Sequence, residues 1–310
     1  MLDVLGPADA VVLVAHGTVS DLDDLPQFLT RVRQGRPPSP ELVAELRRRY
    51  EAIGGSPLLD VTHRQASALA RILNAPVLVA MRLWEPGLER VLRSVVPLGT
   101  RRLVVLPLAP FSVHVYAAAA EKSLLAVQDE LGSRAPKLVH VAPFGTLPSF
   151  VEAHAARIRA LFARTGTDAD AALVFTAHSL PSAVIGAGDP YAAQVEASAA
   201  AVGSRLGASF DLAYQSQGAQ PGAWLGPDLR SVLERVRARG QKRVVVAPIG
   251  FLSEHVETLY DLDVEARAWA DSLELEMLRV PALDDDPALA AALAEVVLDA
   301  LKRASNGKRG

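Results

Sequence analysis

Apolar residues in this chain come in short unbroken runs, at 10–15 (AVVLVA), 76–81 (PVLVAM), 102–108 (RLVVLPL), 138–142 (LVHVA), 171–176 (AALVFT), 210–214 (FDLAY), 243–249 (RVVVAPI) and 275–280 (LEMLRV). Runs without an alternating polar residue suit parallel strands covered on both faces. Between them the apolar positions recur at helical spacing, over 40–53, 60–73, 86–96, 115–131, 148–164, 190–206, 227–239, 254–271 and 286–303. Strand followed by helix throughout predicts an α/β fold, with parallel four-stranded sheets flanked by helices and right-handed crossovers.

The pattern also repeats. RRLVVLPLAPFSVHV (101–115) and KRVVVAPIGFLSEHV (242–256) share a basic pair, a Val-rich run, a proline, and His-Val seven positions after that proline. VVLVAHGT around His16 and LVFTAHSLP around His178 form a second pair, and Trp84-Glu-Pro86 and Trp224-Leu-Gly-Pro227 a third. Two similar domains, 1–147 and 148–310, are therefore expected to face each other across a cleft, with the last helix, 286–303, expected as an addition that can pack back on the first. Ligands of such sheets bind beyond the carboxyl ends of the strands. His16, His114, His178 and His255 all follow strand ends, which makes the cleft the candidate site.

Composition narrows the chemistry. At 310 residues, half of them hydrophobic, the chain can bury two cores of about 150 residues each. Without cysteine there is no disulfide, thiolate metal site or iron–sulfur cluster, so metal chemistry must use His and carboxylate. A formal charge of −3 with signs interspersed gives no footprint for nucleic acid. No run approaches the ~20 apolar residues of a membrane span, and the acidic start is unlike a secretory signal, so a cytoplasmic protein is expected.

Glu254, Glu257, Asp261 and Glu265 fall at spacings that would align them on one face of a helix. A row of like charges costs helix stability, so either a solvated face or a function must account for it. Beside a strand-end histidine such a row suits a borderline divalent ion or proton transfer near neutral pH. In the basic stretch 31–49, Arg33, Arg36 and Arg49 could grip ligand carboxylates, and IGGSPL (53–58) offers a glycine turn with Ser56. That turn matches neither a P-loop nor GxGxxG, which argues against nucleotide. Neither Ser179 nor Ser182 sits in a GxSxG elbow, which argues against a serine hydrolase. His63, His140 and His154 read as surface residues, and Trp84 and Tyr116 as packing residues.

TAHSLP (176–181), GDPY (188–191), YQSQG (214–218), WLGPD (224–228) and HVETLYDLD (255–263) together resemble the ferrochelatase family, which inserts Fe²⁺ into a porphyrin. FLTRVRQGRPPSPE (28–41) and RYEAIGGSPL (49–58) are similar to its soluble bacterial branch. The resemblance implies two Rossmann-like domains of the chelatase fold, heme biosynthesis and no redox cofactor. Partners implied are a porphyrin and a divalent metal, with coproporphyrin III the expected substrate, and a monomer without integral membrane association. It implies that His178 and Glu257 are the catalytic pair and handle the metal, with Asp261 and Glu265 as an acidic relay. His16, Arg33, Arg49, Tyr50, Ser56 and Tyr116 would bind the porphyrin, and Arg82 would lie at the cleft mouth. His16 stands where that branch carries Tyr. Two alternatives accompany this reading: a sirohydrochlorin or cobalt chelatase using His16 and His114 as metal ligands, and a non-catalytic tetrapyrrole or metal carrier.

Overall fold

The computed structural model describes residues 5–166, 171–218 and 222–306. The chain divides into two compact units, one of residues 1–144 with 284–310, the other of residues 145–283. In the first, β1 (Asp9–Ala15) leads through α1 (Leu25–Val32), α2 (Pro40–Ala52) and α3 (Leu58–Leu73) to β2 (Val77–Met81). α4 (Leu88–Val95), β3 (Arg102–Pro107), α5 (Val113–Leu131) and β4 (Lys137–His140) follow. The second unit contains α6 (Pro148–Thr165), β5 (Ala172–His178), α7 (Ser182–Gly186), α8 (Tyr191–Leu206) and β6 (Asp211–Gln215). It continues with α9 (Leu229–Ala238), β7 (Arg243–Ala247), α10 (Val256–Leu259), a π-helical turn (Asp261–Ala266), α11 (Arg267–Ser272) and β8 (Glu276–Arg279).

The sheets are parallel and have the same strand order, β2-β1-β3-β4 and β6-β5-β7-β8. The repeated sequence pairs thus occupy equivalent strands. Each turn proline closes its unit in the same way: the Pro86 carbonyl accepts from Met81 N–H at 2.7 Å, and the Pro227 carbonyl from Tyr214 N–H at 2.8 Å. Every residue of β1 is buried, including Asp9, whose carboxylate binds its in-register neighbour Arg102 at 2.6 and 2.7 Å. In the second unit Val174, Val244 and Val246 pack one face of the sheet on α9 and the π turn, while Leu173, Phe175 and Val245 pack the other on α6 and α8.

The division falls at 144/145 where the sequence put it at 147/148, and the last helix, α12 (Pro287–Asn306), packs in the first unit against α3, β3 and β4, as its sequence allowed. Its apolar positions Leu289, Leu293, Val297 and Leu301 recur every four residues, a stripe that must be covered. The helix expected over 254–271 does not run unbroken. Val264 N–H and Glu265 N–H both donate to the Tyr260 carbonyl at 3.0 Å, which inserts a wide turn between α10 and α11. Among the described residues no helix is long and apolar enough to cross a membrane.

Candidate active site

His178 is the last residue of β5 and Glu257 lies in the first turn of α10, just past the end of β7. The second unit brings them together: His178 Nδ1 and Glu257 Oε2 are 2.9 Å apart, with the side chains 34% and 31% exposed. A carboxylate only accepts, so Nδ1 carries the proton and Nε2 is left with the lone pair when the ring is neutral. The surrounding protein disfavours the imidazolium, but the Glu257 charge, supported by Asp261, more than offsets this and raises the His178 pKa above the ordinary 6.5. Burial pushes Glu257 upward; His178 and then His255 outweigh it and hold the carboxyl well below its usual range.

His255, which precedes α10, places Nε2 at 3.7 Å from the same Glu257 oxygen. Its Nδ1 lies 3.2 Å from the Ser253 carbonyl. A 3.7 Å gap thus separates the imidazole Nε2 from the carboxylate. That gap suits a proton or a cation.

The acidic row is only partly what its spacing suggests. Glu254 precedes α10 and turns into the core, where Arg279 Nη1 (2.5 Å), Thr258 Oγ1 (2.6 Å) and Ala282 N–H (2.8 Å) bind it. Its neighbours fix the loop, so Glu254 leaves the row. Asp263 chelates the same arginine through two bonds of 2.7 Å. Asp261 is buried and accepts a 2.5 Å bond from Ser216 Oγ; Glu265 follows, half-buried, in the π turn. Among the described residues no three His, Asp or Glu side chains form a ready cage for a metal ion.

In the first unit His16 is exposed just past β1, with Nδ1 at 3.3 Å from Arg82 Nη2, and the Arg82 guanidinium lies 5.4 Å from the centre of the Tyr116 ring. Arg33 caps the end of α1, half-buried, and Arg49 pairs with Glu45 at 2.8 Å. Arg33 and Arg82 each keep a buried Nε–H without a protein acceptor. Ser56 is half-buried in its glycine turn and His114 is exposed in the first turn of α5. Tyr50 corrects the sequence reading: it is 2% exposed, with its hydroxyl 2.9 Å from Thr18 Oγ1, and so ties α2 to the end of β1 rather than presenting a face to a ligand. His154 is likewise a core residue, 6% exposed, and burial with the nearby Arg157 depresses its pKa to about 3.

Sequence reasoning passed over Tyr191 and Gln215, which hold the main chain of the pair: Tyr191 OH donates to the His178 carbonyl and Gln215 Nε2 to the Glu257 carbonyl, both at 2.7 Å. Both lie in stretches that carry the family resemblance, Tyr191 in GDPY and Gln215 in YQSQG.

A ferrochelatase family model matches residues 8–301. A ferrochelatase of Thermus thermophilus is 34% identical over 303 residues, with 89% of this chain and 94% of that one covered. The chain belongs to the ferrochelatase family. It is accordingly an enzyme, a metal chelatase of porphyrin metallation in heme biosynthesis. Another ferrochelatase-family relative, the coproporphyrin III ferrochelatase of Anoxybacillus flavithermus, is 35% identical over 309 residues, covering 94% of this chain and 96% of its own. Among solved structures, SirB from Bacillus subtilis with Fe³⁺ aligns at TM-score 0.64 with 13% identity, over 96% and 97% of the two chains. CbiX aligns at 0.53 with 16% identity, over 93% and 97%. At such identities these two show that the ferrochelatase-family chain has the chelatase fold.

Proposed function

We propose that this ferrochelatase-family enzyme inserts Fe²⁺ into coproporphyrin III to give coproheme, with His178 as the proton acceptor and Glu257 as the group that receives the metal. The observation that carries the reading is the 2.9 Å His178–Glu257 pair, which keeps an imidazole Nε2 lone pair and a carboxylate charge side by side. Metallation must remove two N–H protons from a ring whose lone pairs lie in its own plane. His178 Nε2 accepts a pyrrole proton; Glu257, with His255 beside it, attracts the incoming cation; Asp261 and Glu265 then draw protons away. A two- or three-residue grip suits the task, because a closed four-ligand site would retain the metal.

Coproporphyrin III carries four propionates where protoporphyrin IX carries two. The half-satisfied guanidinium groups of Arg33 and Arg82, with Arg49, His16, Ser56 and Tyr116, supply donors and an aromatic wall of the kind such a ligand needs. Holding the ring bent draws on binding energy from those contacts. The name of the Anoxybacillus relative supports the same substrate. We take the enzyme to act in the cytoplasm as a monomer, without a redox cofactor. Against the sirohydrochlorin reading, His16 Nδ1 lies 3.3 Å from the Arg82 guanidinium, a positive charge that disfavours a metal cation beside it.

The test is a substrate panel: purified protein and Fe²⁺ against coproporphyrin III, protoporphyrin IX and sirohydrochlorin, followed by absorbance. Coproporphyrin III is expected to be metallated fastest. Preference for sirohydrochlorin would overturn the reading, and tight porphyrin binding with no spectral shift on adding metal would favour a carrier.

A further inference from the structure

Hydrogen bonding on the β7 side of β5 stops before His178. The two strands pair up to Phe175 and Ala247, and the following residue, Pro248, has no N–H to donate. Gly250 N–H reaches back to the Thr176 carbonyl at 3.0 Å. Two residues further on, the His178 carbonyl points to that same side, beyond the last strand pair. A buried carbonyl there needs a donor. Tyr191, the first residue of α8, provides one at 2.7 Å; it is 8% exposed, and its own N–H is fixed on Asp189 Oδ1 at 2.9 Å.

We propose that Tyr191 is a positioning residue for metal insertion, holding the main chain of His178 so that the imidazole keeps its place against Glu257. The inference rests on the role given to His178 above. Gln215 makes the matching bond on the other member, so each partner of the pair is fixed through its carbonyl by a buried side chain from a neighbouring element. The effect of Tyr191 on the reaction runs through His178, whose ring must stay in place while the metal and proton change hands.

Tyr191→Phe removes the hydroxyl and keeps the ring. Steady-state metallation should show kcat reduced about tenfold, as for other residues that orient a working side chain, with porphyrin KM within about twofold and the melting temperature within a few degrees. Asp189→Ala, which frees the N–H of Tyr191, should lower kcat in the same sense by a smaller factor. The proposal is overturned if Tyr191→Phe keeps kcat within about twofold, or if its loss of kcat comes with an equal weakening of porphyrin binding, as general loosening of the fold would give. His178→Ala assayed alongside separates two failures. If that variant still inserts metal, the assignment of the base fails; if it is dead while Tyr191→Phe is fully active, only the positioning role fails.

Discussion

At the scale of single residues, the proposed chemistry turns on one imidazole kept protonated further up the pH scale than usual. To accept a pyrrole proton His178 must be neutral, and its pKa is raised, against the effect of burial, by Glu257 and then Asp261. The acid limb of the pH–kcat profile should therefore lie above 6.5, with activity rising as pH increases through it. Asp261→Asn removes one of the raising charges and should move that limb to lower pH. A limb at or below 6.5 in the unaltered enzyme would contradict the geometry. Gly250 shows how closely this end of β5 is packed. A Cβ there would come within 2.7–2.8 Å of Ala177, the neighbour of His178, so only glycine lets the β7 loop reach the strand.

At the scale of elements, α10 and the π turn are held by a buried ion cluster. Arg279 and Glu254 are 11% and 10% exposed, and Arg279 also grips Asp263. Arg279→Met leaves Glu254 in the core without its cation and should cost about 3–5 kcal/mol, read as a lower urea midpoint. A change under about 1 kcal/mol would show that water or a rearranged partner satisfies Glu254. This cluster also marks where the sequence stops being legible. The strands could be read because β1, β3, β5 and β7 are covered on both faces and so lack alternation. His178 could be read because a strand end and the repeat place it, and Glu257 stood out in the acidic row, but their pairing came from the family resemblance. Glu254 could not, since spacing alone treats it like Glu257, and what draws it inward is an arginine 25 positions later. Tyr50 was misplaced for a similar reason: nothing local distinguishes a tyrosine that binds Thr18 in the core from one that lines a pocket. α1 was missed because eight residues with Pro26 near their start give too few turns for periodicity to register. The π turn arises from one shared carbonyl, Tyr260, which no residue pattern announces.

At the scale of the whole molecule, duplication supplies two sheets of one order, yet the halves have diverged in use. The strand-end pair of the second unit is His178 with Glu257; at the related positions of the first, His16 lies beside Arg82 and His114 is exposed. Arg33, Arg49, Arg82 and Tyr116 belong to the first unit, and the His178–Glu257 pair with Asp261 and Glu265 to the second. The first unit is completed only by the end of the chain. Leu289, Leu293, Val296, Val297 and Leu301 of α12 are buried, and at roughly 2 kcal/mol each their loss approaches the total stability of an ordinary domain. A chain ending at Asp286 should fail to give a cooperative melt of the first unit; one that melts within a few degrees of the full chain would show α12 to be dispensable.

The central claim is that the imidazole at the end of β5 takes the porphyrin's protons. It is tested most directly by measuring, in one sample of His178→Ala, both porphyrin binding by fluorescence quenching and Fe²⁺ insertion by absorbance. Binding within a few-fold of the unaltered enzyme with insertion slowed about 10²–10⁴-fold is the predicted result for loss of a positioned base. Insertion within tenfold of the unaltered rate would contradict it.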